Sequence, residues 1–530
     1  MQNHRESDRL SWGDTVFLHL ERAGMPLNVA SVCVFEGQIS FSDCVRFVES
    51  KLPLIPRYLK RVVPAPFGLG LPKWEYDPDF DLRRHVREVT LKRGTDAELK
   101  VLAGKIFSTV MDRRHPLWDV TLVRGLKGSR SAVILRLHHC LADGIGGVEV
   151  MNRLLDASPE VPRLPKRKFR FRPPMTRGAW ESLAGGVIDS YSDFVQRILS
   201  ALADLLSMAE RAATNGGNFL PADELSRLLP EITAFTERMR FNVPYRGPQK
   251  FTWANIPLSE VKTIRHTLGG SVNDVILALV TATIRRYLEL HGDRVKGRLF
   301  RMMVPVNLRG NGSPSELGNR ISLVPVTVPL DIRNPRKLLA AVHHRTEFLK
   351  RAHAAELVSL AGGMIGMFPT TLQAMIGPFL SRLPITPFNL VCTNVPGPQY
   401  PLYLLGHRMV GLYPYVPVGG EMAVNCAILS YDGGIYFGFS GDVHAAPDLQ
   451  RLEKFLKVSF SELREAAGIR PSPQKARARR KASMKARVAK PAAGAVRAPV
   501  PVALPLSLAP PMASPASAGE VAAAPTQMIA

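Results

Sequence analysis

The chain has 530 residues, too many for one ordinary core and enough for two or three domains. Hydrophobic residues make up 46% of it, which excludes a disordered chain, and five cysteines (Cys33, Cys44, Cys140, Cys392, Cys426) without C-x-x-C spacing argue against a disulfide-stapled secreted domain or structural zinc. The net charge of +24 is uneven, since residues 470–497 hold ten Lys or Arg and no acid; the basic body admits phosphate-rich ligands, anionic membranes or nucleic acid without choosing among them.

The polar start, Met1-Gln2-Asn3-His4-Arg5-Glu6, leads into no apolar stretch of signal-peptide type, so a cytoplasmic location is expected. Residues 29–35 and 132–137 are strand-like apolar runs, and 96–112 reads as an amphipathic helix. A Pro- and Arg-rich passage from 159 to 174 reads as a linker, followed by a helical pattern over 177–240. Beyond it, strands 301–306 and 321–326 alternate with helices 272–291 and 335–353. After residue 470 the sequence is rich in Ala, Pro, Lys and Arg without periodicity, and too little apolar surface is available to offset ordering entropy. The expected layout is a first folded domain over 1–158, a linker over 159–248, a second domain over 249–469, and a disordered tail over 470–530.

Residues 357–381 carry no charge and have the length of a bilayer span, but Gly362, Gly363, Gly366, Pro369, Gly377 and Pro378 interrupt them. Two short apolar helices, packed inside or lying on a membrane surface, fit that pattern better than a spanning helix.

The densest chemistry follows the run 132–137. His138-His139-Cys140-Leu141-Ala142-Asp143-Gly144 puts two histidines at a strand end, then a glycine-bearing turn over 143–147 and a helix over 148–156. A neutral imidazole on a rigid element can take a proton from an alcohol at cytosolic pH, help that contributes about 10² to 10⁴ in rate. Adjacent strand residues face opposite ways, so one histidine serves as base and the other packs, unless the strand has already ended. A strand end without function, a zinc site and a Cys140 nucleophile are the competing local readings. Zinc lacks a suitably spaced third ligand.

His138-His139-x-x-x-Asp143-Gly144 resembles the motif of the CoA-dependent acyltransferase superfamily, which includes chloramphenicol acetyltransferase and condensation domains. Pro116-Leu117-Trp118, Asn273-Asp274, Pro305-Val306-Asn307-Leu308-Arg309 and Asn394-Val395-Pro396-Gly397-Pro398 resemble segments of one branch, the bacterial wax ester synthase/acyl-CoA:diacylglycerol acyltransferase family. Asp14-x-x-Phe17-Leu18 and Pro26-Leu27-Asn28-Val29 are similar to its opening, with Leu27-Asn28 where Met-His is commoner. The likeness covers residues 10–465.

The resemblance implies an α/β fold of two chloramphenicol-acetyltransferase-like domains joined by a helical linker. It implies transfer of a long-chain acyl group from acyl-CoA, a substrate and not a cofactor, to diacylglycerol or a long-chain alcohol. His139 would be the base, His138 its support, and Asp143 and Gly144 structural parts of the motif. Pro116, Leu117, Trp118, Asn273 and Asp274 would line the substrates, with Asn273 a candidate oxyanion donor; read locally, the same residues are a packed turn and a helix cap. Peripheral association with the inner membrane face or lipid bodies is expected, and no metal, cofactor or specific nucleic acid. The alternatives are a soluble acceptor, or a non-catalytic lipid-body protein.

Overall fold

The computed structural model describes residues 9–22, 24–64, 71–141, 144–161, 236–307, 321–352 and 388–470. Most of the expected helical linker, residues 357–381, Leu308, Arg309, Asp143 and the tail beyond Arg470 lie outside them.

The first half runs α1 (Trp12–Leu20), β1 (Asn28–Glu36), α2 (Phe41–Lys51), β2 (Lys60–Val63), β3 (Lys73–Tyr76), α3 (Leu82–His85), β4 (Val86–Thr90), α4 (Asp96–Phe107), β5 (Trp118–Leu126), β6 (Arg130–His138) and α5 (Gly144–Leu154). The second runs β7 (Gln249–Pro257), α6 (Leu258–Leu268), α7 (Val272–Leu290), β8 (Leu299–Asn307), β9 (Ile321–Pro329), α8 (Pro335–Arg351), β10 (Leu390–Pro396), β11 (Tyr403–Leu404), β12 (His407–Tyr415), β13 (Val424–Tyr431), β14 (Gly434–Asp442) and α9 (Arg451–Ala466). The fold is α/β with two six-stranded sheets, ordered β11-β12-β1-β6-β5-β4 and β7-β14-β13-β10-β8-β9. Each sheet is mixed: β4 runs parallel to β5, and β10 parallel to both β8 and β13.

Two predicted helices have different limits. The segment 96–112 is helical only to Phe107, where Arg136 reaches up from β6 and donates to the carbonyls of Ile106 (2.6 Å) and Thr109 (2.7 Å). A buried guanidinium, paired on its other side with Asp119 (Nε to Oδ1 3.2 Å), thus takes up carbonyls that a longer helix would bond internally. The helix after the histidines starts at Gly144 rather than 148, because the predicted glycine turn is itself the first helical turn. Residues 236–240 are not helical.

The halves interlock. Strand β12, from the second half, adds to the first sheet beside β1 (Cys33 opposite Leu412, Ala30 opposite Tyr415), because its two faces are as apolar as those of a central strand. Phe107 stacks on Tyr415 (4.1 Å) and Trp253 on Tyr413 (4.7 Å), joining α4, β7 and β12. Gly438 on β14 passes so close to β12 that an added Cβ would stand 1.8 Å from the Pro414 carbonyl oxygen. Gly438→Ala is therefore expected to destabilise by about 3 kcal/mol, read as a fall in the denaturant midpoint at unchanged slope. An unchanged midpoint would show that the strands part freely there.

The second core surrounds α7, whose residues from Val272 to Arg285 are all buried between its sheet and helices α6, α8 and α9. Among the described residues no single helix is long and apolar enough to cross a membrane.

Candidate active site

Strand β6 ends at His138 and the chain turns at once, the Leu141 N–H reaching the His138 carbonyl at 2.9 Å. This break separates the histidines. His138 is wholly buried, its backbone N–H donating to Leu117 O (2.9 Å) and its Nδ1 accepting from the Cys140 N–H (3.1 Å). A neutral imidazole with an accepting Nδ1 carries its proton on Nε2. That nitrogen faces Glu21 Oε1 at 3.4 Å, longer than a good hydrogen bond. Nδ1 of His138 is committed, and its Nε2 is enclosed against Glu21 without a full hydrogen bond.

Glu21 follows α1 and is buried. Its Oε1 accepts from the Leu27 N–H (3.0 Å) and its Oε2 from Arg113 Nη2 (2.9 Å), which also donates to Leu18 O (2.8 Å). Burial opposes ionisation of this carboxyl, but the nearby His138 ring and the bonds from Leu27 and Arg113 outweigh it and hold the pKa below the usual value. The same segment supports the second histidine, since Leu27 O accepts the His139 N–H (3.0 Å).

His139 is half-buried at the turn, its ring stacked on Phe17 of α1 with centroids 3.7 Å apart and planes 9° apart. Its Nδ1 is enclosed and makes no full hydrogen bond, so the accessible edge of the ring carries Nε2. Burial lowers its pKa to about 4; a contact with its own backbone works the other way and the neighbouring His138 adds to the fall. The ring is neutral at pH 7. Cys140 beside it is buried and its thiol is pushed well above the usual value by burial, so it offers no thiolate for the nucleophile reading.

Gly144 opens α5, which packs against β10. Pro116, Leu117 and Trp118 lead into β5 beside this turn. Trp118 pairs with Leu137, donates Nε1–H to Tyr58 O (2.7 Å) and stacks on His85 (4.5 Å), so its buried indole is turned into the core. Asn273 and Asp274 begin α7. Asp274 completes a capping box with Ser271 and accepts from His343 Nδ1 (2.9 Å) and Thr346 Oγ1 (2.7 Å). Asn273 is buried; its Oδ1 accepts from Asn394 Nδ2 (3.2 Å), while its own Nδ2 is buried without a partner. The structure thus brings Pro116, Leu117 and Trp118 to the histidines and joins Asn273 to Asn394 of the Asn-Val-Pro-Gly-Pro segment.

Sequence reading missed Glu21 and Arg113. A lone acid after a short helix and an Arg in a charged turn carry no periodic signal, and only tertiary proximity shows them as one network. Asn28, where the family has His more often, lies opposite His138 and donates to Thr109 O (3.1 Å). Among the described residues no three His, Cys, Asp or Glu side chains converge as a metal site.

Residues 10–276 match the wax ester synthase/diacylglycerol acyltransferase catalytic domain and residues 317–464 the C-terminal domain of the same family. A probable diacylglycerol O-acyltransferase of Mycobacterium tuberculosis is 29% identical over 439 residues, covering 82% of this chain and 91% of the relative. A second one from that organism is 28% identical over 470 residues, covering 87% and 100%. Among solved structures, the wax ester synthase/diacylglycerol acyltransferase from Marinobacter aquaeolei VT8 superposes with a TM-score of 0.61 at 23% identity, over 87% of this chain and all of that one. The first condensation domain of the calcium-dependent antibiotic synthetase superposes at 0.53 and 14% identity, over 88% and 97%, which supports the two-domain acetyltransferase-like fold. The chain belongs to the wax ester synthase/diacylglycerol acyltransferase family and is an acyltransferase.

Proposed function

We propose that the protein moves a long-chain acyl group from acyl-CoA to the hydroxyl of diacylglycerol or a long-chain alcohol, with His139 as general base. The observation that carries this is the division of labour at the strand end: His138 is wholly buried, with Nδ1 taken by the Cys140 N–H and Nε2 enclosed against Glu21, while His139 is neutral, only half-buried and offers an accessible Nε2. Nε2 takes the proton as the alcohol oxygen attacks the thioester carbon. The tetrahedral intermediate collapses with cleavage of the C–S bond, and the imidazolium returns the proton to the thiolate, giving ester and free CoA thiol. The orphan Nδ2 of Asn273 is a ready donor for the developing oxyanion. Glu21 positions His138, and His138 with Leu27 positions the turn that holds His139. The reading calls for no cofactor.

The names of the Mycobacterium relatives favour diacylglycerol as acceptor, and the basic body suits a peripheral location at an anionic membrane face. Palmitoyl-CoA supplied with dipalmitoylglycerol or with hexadecanol is expected to release CoA thiol only when an acceptor is present. The ratio of the two rates tells triacylglycerol from wax ester synthesis. Release with neither lipid but with a short water-soluble alcohol would move the reading to a soluble acceptor.

A further inference from the structure

One hydrogen bond joins two buried asparagines, Asn273 at the start of α7 and Asn394 near the end of β10, and its direction matters chemically. A carboxamide has an oxygen that only accepts and a nitrogen that only donates, at two ends of nearly equal size. Shape therefore does not choose which end faces where. The last torsion of an asparagine is broad and roughly two-fold, so a hydrogen-bonding partner decides. Here Asn394 Nδ2 donates to Asn273 Oδ1 at 3.2 Å, which turns Asn273 Nδ2 away from β10. That nitrogen is buried without a partner, and both residues are at most 5% exposed.

Strand β10 is a firm base for such a contact. It lies inside the second sheet, parallel to β8 on one side and to β13 on the other. Alternate residues share a face, so Leu390, Cys392 and Asn394 point together, with Cys392 opposite Cys426 and Asn394 opposite Ile428. Leu390, Cys392, Cys426 and Ile428 all belong to the core around α7. Asn394 is thus the polar residue at which this apolar row ends, just before the exposed Pro396. Helix α5, which opens at Gly144 soon after His139, packs against the same strand.

We propose that Asn394 is a positioning residue: it holds the Asn273 carboxamide with its oxygen toward β10, leaving the nitrogen to donate to the oxyanion of the tetrahedral intermediate. The proposal rests on the acyl-transfer reading above, with Asn273 as the oxyanion donor. Without a donor at position 394 the amide is free to turn. With an acceptor there, it inverts and presents its oxygen to the charge it should stabilise.

Asn394→Asp keeps the shape and makes this a titration. The ionised carboxylate only accepts, so it draws Asn273 Nδ2 to itself; the protonated carboxyl donates, as Asn394 does. With palmitoyl-CoA and hexadecanol at pH 8, kcat of Asn394→Asp is expected to lie about a hundredfold below wild type, with KM within about threefold. That is the scale of losing one oxyanion donor and the pattern of a contact made only in the transition state. The deficit is expected to close as pH falls toward about 5, since burial raises a carboxyl pKa, while wild type stays level. Asp274, His343, Cys392 and Cys426, the titratable groups beside the pair on α7, α8, β10 and β13, are common to both proteins and cancel in the ratio. Asn394→Ala is expected to fall between the two at pH 8, with a ratio to wild type that does not change with pH.

Turnover is normalised to folded protein by denaturant unfolding. Wild-type kcat in Asn394→Asp at pH 8, a deficit that pH does not move, or loss of the folded state in both variants would overturn the positioning role. Asn273→Ala keeps the readings apart. Full turnover in that variant removes Asn273 as oxyanion donor, whereas a loss of about a hundredfold there beside wild-type kcat in Asn394→Asp removes Asn394 alone. Wild type without any thiol release would overturn the acyl-transfer reading instead.

Discussion

His139→Ala is expected to lower acceptor-dependent thiol release by about two to four orders of magnitude while leaving the thermal midpoint nearly unchanged. The ring is half-buried at a turn and its Nδ1 makes no full hydrogen bond, so its removal costs the stacking on Phe17 and little polar pairing. The pH profile carries the same assignment. Burial of His139 favours the neutral ring and lowers its pKa to about 4. The neutral form is the base, so kcat/KM is expected to hold level from pH 7 downward and to fall only as pH approaches about 4, not through the ordinary value near 6.5. An acid limb near 6.5, or a His139→Ala enzyme with wild-type turnover, would remove His139 from the mechanism. The reverse pattern, in which His138→Ala alone abolishes turnover in a folded protein with an unshifted acid limb, would assign the base to the other ring.

Asp274→Ala is expected to destabilise by about 3 kcal/mol and to leave turnover per folded molecule within about threefold of wild type. The carboxylate is fully buried. It accepts from the Ser271 N–H (2.8 Å), His343 Nδ1 (2.9 Å) and Thr346 Oγ1 (2.7 Å), so it holds the start of α7 and fastens α8 to it. A cap alone is worth about 1 kcal/mol; the larger figure comes from also leaving the buried Thr346 hydroxyl without its acceptor in the core and loosening the His343 contact that fastens α8. Asp274→Asn keeps acceptor capacity at one oxygen and should recover part of the loss. Denaturant unfolding with turnover normalised to folded protein separates the outcomes. A fall in turnover without a fall in stability would instead make Asp274 a substrate contact, the role the family motif suggested.

Neighbouring Asn273 has the opposite profile. It has one buried amide nitrogen without a partner, which a merely structural asparagine seldom tolerates. The two halves of one Asn-Asp motif thus separate into a fastening and a free donor.

Much of this was legible in the sequence, because it depends on local pattern. Apolar runs placed β1 and β6 to within a residue or two, and the helix read over 272–291, with Asn273-Asp274 as its cap, matches α7. The histidine motif was legible through its order of residues and its likeness to a family, whose two domain matches then agreed. The choice of His139 over His138 as the proposed base rests on neither spacing nor composition. It depends on the strand ending at His138, on the Cys140 N–H that occupies one nitrogen and on Glu21, 117 positions earlier, facing the other. The exchange of β12 into the first sheet is likewise invisible to local pattern. Hydrophobic periodicity states which face of a strand is buried, but what covers that face, and whether it is covered completely, is decided by segments hundreds of residues apart.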